Sequence, residues 1–457
     1  MIDQSFSAQN LRRIWDLRTR RGEDLSTYFA DIASITQHLK SLGVARHTAL
    51  KALRLGTSTY AAQSDSHKKL RVDAQELKEE LLKKHLTNLS VEINNRIDAD
   101  DFHWGISLGP VAGGKRTHRI DPREVATYFI SRQVELNLRN AFAISPSDRN
   151  TATRQLLLSL EDDIEKIVIR TDIRDFYESV PHDALCDLLR SSGKLSRTTY
   201  RFITALLAEY SYITGTRQGL PRGLAVSAAL AEAYLTKLDF TIRQMSEVLL
   251  YLRYVDDIIV IFGGSSHHPD RAARAGELRG AIRTLGLSLN SGKTRYYTFS
   301  SRGPRPAKSL TFLGYTFQIA DSGVTVDISE KKVRRYERRM ELTYKAYLGS
   351  VPGGSPERTL LDRLGFLAGN TRLSNNKRNA LVGIYFSNSL LKSATSQLHR
   401  LDARHAVLRE GVTLSPQGMT SLAAFSFARG YDERIYLHFS PKRLQRFVKI
   451  WTNDEEA

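Results

Sequence analysis

The hydrophobic pattern along the chain changes period twice. Residues 1 to about 110 are polar with helical spacing, as in 74–85 (AQELKEELLKKH), where Glu-to-Lys pairs four apart support a helix. Residues 105–119 (GISLGPVAGGKRTHR) are rich in glycine and basic residues and predict a loop, after which helical periodicity resumes from Val125. In the middle, short β-rich runs at 166–171 (KIVIRT), 249–254 and 258–262 alternate with helical stretches such as 225–238. Beyond Thr325 the pattern is helical and strongly basic (EKKVRRYERRMELTYKAYL), and residues 434–451 mix a short apolar run with a helix. This predicts an α+β core between helical N- and C-terminal regions, with boundaries near 110 and 325, and with no internal repeat or low-complexity tract.

Charge narrows the partner. Lys and Arg number 67 against 49 Asp and Glu, a formal net charge of +18, which favours a polyanion and above all a nucleic acid. No apolar run approaches the roughly 18 residues of a membrane span, and residues 1–13 lack the apolar stretch of a signal peptide, so a cytoplasmic protein without a membrane partner is expected. The single cysteine, Cys186, precludes an internal disulfide and a cysteine-based zinc site, and the 12 histidines show no metal-ligand spacing. His267 and His268 fall in a Gly/Ser/Pro-rich stretch and are expected to be solvated.

The residues with chemical promise are carboxylates. In residues 252–262 (LRYVDDIIVIF) two apolar arms flank Asp256 and Asp257, and burying adjacent carboxylates there is costly unless cations compensate. A hairpin tip offering them to metal satisfies that requirement. Strand alternation lets at most one of the pair face a shared site, so a further carboxylate must come from elsewhere, and Asp172, at the end of the run 166–171, supplies it. Two Asp-tipped strand ends side by side suit phosphoryl transfer with a pair of hard cations, Mg²⁺ by preference. Gly109 and Gly114-Lys115 imitate the start of a phosphate-cradling loop, but Arg116 stands where a hydroxyl must hold Mg²⁺ and no apolar strand leads in, so a mobile basic loop is expected instead.

Asp172 with Phe176-Tyr177, Gly223 with Ser227, Tyr254-Val255-Asp256-Asp257, residues 289–294 (LNSGKT) and Phe312-Leu313-Gly314-Tyr315 occur in the order of the palm motifs of reverse transcriptases, which this chain resembles over about 115–330. The resemblance implies a right-hand polymerase: a helical N-terminal extension (1–110), fingers and palm with an antiparallel sheet (111–325), and a helical thumb and C-terminal region (326–457). It makes Asp172, Asp256 and Asp257 the catalytic carboxylates and, with Ile173, the holders of two Mg²⁺ ions, Mn²⁺ being the alternative. It places Lys293, Gly223 and Ser227 at the incoming nucleotide, Arg149 at its triphosphate, and Tyr177 where an aromatic ring excludes a ribose 2′-hydroxyl, so that dNTPs are the substrates. Arg222 stands for the family's usual glutamine and Ala228 for its usual proline, which puts ordinary template contacts in question. The basic segment 331–347, with Lys331, Arg334 and Arg338, is expected to grip nucleic acid.

More narrowly, Gln4-Ser5-Phe6-Ser7, residues 10–14 (NLRRI), Arg21-Gly22, residues 364–370 (LGFLAGN) and residues 383–388 (GIYFSN) resemble bacterial defence-associated reverse transcriptases, and most the first polymerase of their two-polymerase, type three systems. That likeness implies antiviral defence, a structured noncoding RNA partner and template, a DNA product and a second reverse transcriptase subunit in a homo- or hetero-oligomer. Template-independent or protein-primed DNA synthesis and a catalytically idle RNA-binding scaffold are the alternatives. No His or Cys cluster after residue 330 supplies a second nuclease.

Overall fold

The structure is a computed structural model that describes residues 3–53, 60–99, 102–145, 148–263, 271–299, 308–350, 354–373, 380–440, 443–444, 446–447 and 449–451. His267 and His268 lie outside the described residues. The chain divides into two compact units: Met1–Gly109 with Thr117–Ile144 and Pro181–Ala233, and Pro110–Arg116 with Ser145–Val180 and Tyr234–Ala457.

The first unit is mainly helical. The helix Ala8–Arg20 starts at Ser7, whose hydroxyl accepts from the Asn10 N–H, and it buries Leu11, Ile14 and Trp15 along one face. Gln4 ties the preceding segment down. Its side-chain amide donates to the Lys194 carbonyl (2.7 Å) and accepts from the Ser196 N–H (2.8 Å), while its own carbonyl accepts from Asn137 (3.1 Å). Phe6 meets Phe202 edge-on with ring centres 5.0 Å apart. The opening Gln-Ser-Phe-Ser motif is therefore structural: it strings the chain start across the helices Val125–Ala141 and Arg197–Thr214. The helices Ala30–Leu53 and Tyr60–Asp98 pack along each other, the second running through residues 74–85 as the Glu-Lys spacing predicts.

Residues 105–119, expected to be a loop, form a β-hairpin, Ser107–Ala112 (β1) and Lys115–Arg119 (β2). Gly113 and Gly114 both have positive φ (58° and 74°), as a tight two-residue hairpin turn demands.

The second unit holds a four-stranded antiparallel sheet in the order β4-β5-β3-β6, built from Lys166–Asp172 (β3), Val248–Tyr254 (β4), Asp257–Gly263 (β5) and Arg295–Phe299 (β6). β3 and β5 are the inner strands and are buried on both faces, with Ile167, Val168, Ile169, Ile258, Ile259 and Val260 fully enclosed, which explains why they are continuous apolar runs. A three-stranded meander follows: Lys308–Phe312 (β7), Tyr315–Ala320 (β8) and Gly323–Ile328 (β9). Leu310, Phe312, Tyr315, Phe317 and Ile319 face the core, while Ser309, Thr311, Thr316 and Gln318 alternate outward. The expected switch to helix at Thr325 comes a few residues late because β9 runs on to Ile328.

In the C-terminal helical region, Asn370 is a hub. Its amide donates to the Gly430 carbonyl (3.0 Å) and its oxygen accepts from the Tyr385 N–H (2.9 Å), joining two short strands, Asn370–Leu373 (β10) and Ala380–Gly383 (β11), to the helix Phe427–Asp432. No side chain fits at Gly430, where a Cβ would enter the Ala368 carbonyl, or at Gly383, where φ is 133° and a Cβ would enter the Gly369 carbonyl. The motifs at 364–370 and 383–388 are thus explained by close backbone packing.

Candidate active site

β3 and β5 pair antiparallel with Asp172 directly across from Asp257, and the Ile173 N–H donates to the Asp256 carbonyl at 3.2 Å. Asp172 ends β3, Asp257 begins β5, and Asp256 lies in the two-residue turn between β4 and β5. All three carboxyl-bearing residues therefore sit at one end of the sheet. The turn's first central residue, Val255, has φ 58°. A β-branched residue is strained there by about 1–3 kcal/mol, and hairpin turns ordinarily use glycine or asparagine at this position.

A partly buried ion pair restrains that turn. Arg253 forks onto Asp239 of the helix Ala225–Arg243 with two bonds of 2.7 Å, and its remaining nitrogen donates to the Val255 carbonyl at 3.1 Å. Tyr251 donates to the same Asp239 at 2.7 Å. Sequence reasoning missed both Arg253 and Asp239. The available signal was an arginine inside an apolar strand run, costly to bury without a bidentate partner.

The electrostatics are those of crowded anions. Burial pushes the Asp257 carboxyl above its ordinary range, opposed by Arg170 and reinforced by Asp256 and Asp172. Arg170 reaches Asp257 at 3.4 Å. Lys293 donates to Asp172 Oδ2 at 2.5 Å, and that bond, helped by the nearby charges of Asp172, Asp256 and Asp257, holds its ammonium above the usual lysine range. Asp172 is 6% exposed, and its other oxygen, Oδ1, is buried with no hydrogen-bond partner among the described residues. An orphaned carboxylate oxygen beside two further carboxylates is a donor set that fits a hard divalent cation. Among the described residues, no three His, Cys, Asp or Glu side chains stand together as a finished metal centre. Such an ion would take Asp172 and the 256–257 carboxylates, with substrate phosphate and water completing its shell, which is how Mg²⁺ is commonly held.

Lys293 lies in a loop stitched to β3: the Asn290 N–H donates to the Asp172 carbonyl (2.9 Å), the Arg174 N–H to the Ser288 carbonyl (2.8 Å), and Thr294 shares a hydrogen bond with Thr171 (2.8 Å). Tyr177 is half-buried in the short helix Phe176–Ser179, against Phe176 at 5.7 Å between ring centres, and Phe176 is the member of the pair that enters the core. Lys115, on β2, bonds Asp175 at 2.6 Å, so the glycine-rich stretch offers its lysine to carboxylates and not to a phosphate cradle.

Other expected site residues are placed differently. Arg222, Gly223 and Ser227 belong to the first unit. Gly223 (φ 102°) lies against the β2 backbone, where a Cβ would come within 2.8 Å of the His118 carbonyl, and the Arg222 carbonyl accepts from the His118 N–H (2.6 Å). Ser227 is fully buried and its hydroxyl has no hydrogen-bond partner among the described residues. Arg149 donates to the carbonyls of Leu313 (2.7 Å) and Ser387 (3.3 Å) and stacks over Tyr315 at 4.7 Å, so its donors serve the Leu313-Gly314 turn.

Lys331, Arg334 and Arg338 are exposed at helical spacing on Glu330–Leu348, with Arg334 paired to Glu330 at 3.0 Å. Lys332 between them is buried and donates to the Ser387 carbonyl (2.8 Å) and to Asn388. Burial, with Arg149 nearby, pushes its ammonium down to about 7. Between that value and the unfolded lysine value of about 10.4, the unfolded chain binds a proton that the folded chain does not, so stability rises with pH by as much as about 1.4 kcal/mol per unit. Urea unfolding at pH 7.5 and 9 is expected to show this rise, and Lys332→Met is expected to flatten it.

Residues 117–317 match the family model "Reverse transcriptase (RNA-dependent DNA polymerase)". None of the curated proteins matches the chain. Among solved structures, apo telomerase from Candida tropicalis, truncated from its C-terminal domain, is similar at 16% identity and a TM-score of 0.34; the match covers 50% of this chain and 55% of that one. No helix among the described residues is long and apolar enough to cross a membrane. With an α+β fold, an antiparallel sheet and the carboxylates at its end, residues 117–317 form a reverse transcriptase domain.

Proposed function

We propose that the protein is an RNA-directed DNA polymerase that adds dNTPs to a primer at the end of the β3-β5 pair. The observation that carries this reading is the buried, unpartnered Asp172 Oδ1 next to Asp256 and Asp257. Two Mg²⁺ ions, or Mn²⁺ in their place, would supply there the activation of a primer 3′-hydroxyl and the charge stabilisation of a departing pyrophosphate. Asp172, Ile173, Asp256 and Asp257 would hold the ions, and Lys293, now on Asp172, would turn to the triphosphate. Tyr177 screens the sugar, and Lys331, Arg334 and Arg338 hold nucleic acid. In this reading residues 1–110 are an extension, 111–325 fingers and palm, and 326–457 thumb and C-terminal region.

The narrower motifs support a place in bacterial antiviral defence, in the cytoplasm, with a structured noncoding RNA as template and a second reverse transcriptase subunit as partner. Purified protein with its co-purifying RNA, incubated with Mg²⁺ and labelled dNTPs, is expected to make labelled DNA, and RNase pretreatment is expected to abolish it. Product that survives RNase would replace this reading with template-independent or protein-primed synthesis, to which Arg222 and Ala228 lend support. Absence of product under every condition would leave an RNA-binding scaffold.

A further inference from the structure

Behind the loop that carries Lys293 lies a cavity of about 340 Å³, lined by Arg279, Arg283, Ser288, Ser291, Thr294 and Tyr296 together with Leu289. Arg279 and Arg283 are four apart on the helix Arg271–Arg283 and so share one face. Neither side chain has a hydrogen bond, ion pair or ring contact among the described residues. The contrast within the same helix is sharp: Arg274 is paired with Glu247 and Glu277, and Arg271 lies over the Tyr296 ring at 5.4 Å. Two like charges at this spacing repel by a few tenths of a kcal/mol, and among the described residues no acidic side chain lines the cavity to offset them. Three hydroxyl-bearing side chains and one aromatic ring complete the wall.

Unopposed arginines, hydroxyl donors and an apolar ring in a cavity at the small end of ligand-site volumes are the elements of a phosphate-and-base site. We propose that this cavity binds a free nucleotide through its phosphate groups, with Arg279 and Arg283 as the anion clamp, Ser288 and Ser291 as hydroxyl donors, and Tyr296 against the sugar or base, while the Thr294 hydroxyl is spent on the Asn290 carbonyl at 2.7 Å. The site is separate from the carboxylate cluster but touches the same loop. Thr294 lines the cavity and bonds Thr171, the neighbour of Asp172, while Asn290 bonds Asp172 itself. Occupancy therefore stiffens the loop that brings Lys293 to Asp172.

The test is binding and not synthesis, so it stands apart from the polymerase assignment. The full chain is titrated calorimetrically in EDTA, which removes metal-dependent triphosphate binding at the carboxylates. The probes are inorganic phosphate, dATP and a ten-nucleotide single-stranded DNA, and the proteins are the wild type, Asp256→Asn and Arg279→Gln/Arg283→Gln. Wild type and Asp256→Asn are expected to bind dATP equally and more tightly than inorganic phosphate. The double variant, with an unchanged melting temperature, is expected to lose at least about tenfold for dATP, since two charge-assisted bonds are removed. The proposal is overturned if dATP does not bind saturably, if the double variant binds it unchanged, or if only the oligonucleotide responds to the substitutions. Loss of the fold in the double variant shifts the comparison to Arg283→Lys, which keeps the charge but not the fork and is expected to weaken dATP binding by a smaller factor.

Discussion

Asp256→Asn is expected to reduce DNA synthesis by at least about a thousandfold, or roughly 4 kcal/mol of transition-state stabilisation, with RNA binding unchanged and melting temperature equal or slightly higher. The substitution keeps the side chain's size and leaves the backbone bond from Ile173 to the Asp256 carbonyl intact, so the β4-β5 turn has no reason to move. It does remove one of three negative charges gathered at one end of the sheet. The crowding bears on Asp257: burial pushes its carboxyl upward, and Asp256 and Asp172 push it further the same way. Relieving like-charge repulsion stabilises the fold while removing metal affinity, so activity and stability move in opposite directions, as is common at functional sites. Asp257→Asn separates the two effects further, because Asp257 is the partner of Arg170 and its loss leaves that guanidinium half-buried and unopposed. Synthesis rates with Mg²⁺, thermal melts and filter binding to the co-purifying RNA read all three quantities. Activity within tenfold of wild type in Asp256→Asn would sink the assignment of the site.

The inner strands and the Asp-tipped hairpin were legible in the sequence because burial on both faces leaves an uninterrupted apolar run, and a carboxylate pair inside such a run demands explanation. The β1-β2 hairpin was not read, although Gly113-Gly114 is a hairpin turn signal, because Gly, Pro and basic residues in the arms hide any alternation. β10 and β11 are four residues each and exist through Asn370 and the glycine contacts around it, which leave no local periodicity. The restraint on the Val255 turn was invisible for a similar reason. Asp239 and Arg253 come from a helix and a strand, and only the folded chain brings their fork together. Arg149 shows the converse: nothing in a sequence tells an arginine that meets phosphate from one that closes off two carbonyls and a tyrosine ring.

Tyr177→Ala is expected to lower the preference for dNTPs over rNTPs by about a hundredfold or more, close to 3 kcal/mol, chiefly by raising ribonucleotide incorporation. The ring's setting favours a selective effect. Phe176 occupies the core at 2% exposure, so Tyr177, half-buried and packed edge-on against it, is not what holds the short helix Phe176–Ser179 in place. That helix is anchored before the ring by Asp175, which adopts a left-handed conformation (φ 42°) and is bound by Lys115 at 2.6 Å, and beyond it by Ser179, whose hydroxyl donates to the Asp175 carbonyl at 2.9 Å. Truncating the ring should therefore open space without moving the backbone that follows Asp172. A steric exclusion of this kind works by repulsion of the wrong sugar and not by attraction of the right one, so its removal should change kcat/KM for dNTPs by less than about tenfold. Steady-state incorporation of matched dNTP and rNTP pairs opposite one template base measures the ratio. Tyr177→Phe serves as the control: it removes only the hydroxyl and should keep the discrimination. If alanine and phenylalanine variants discriminate alike, the ring is a packing element and the sugar is chosen by another group.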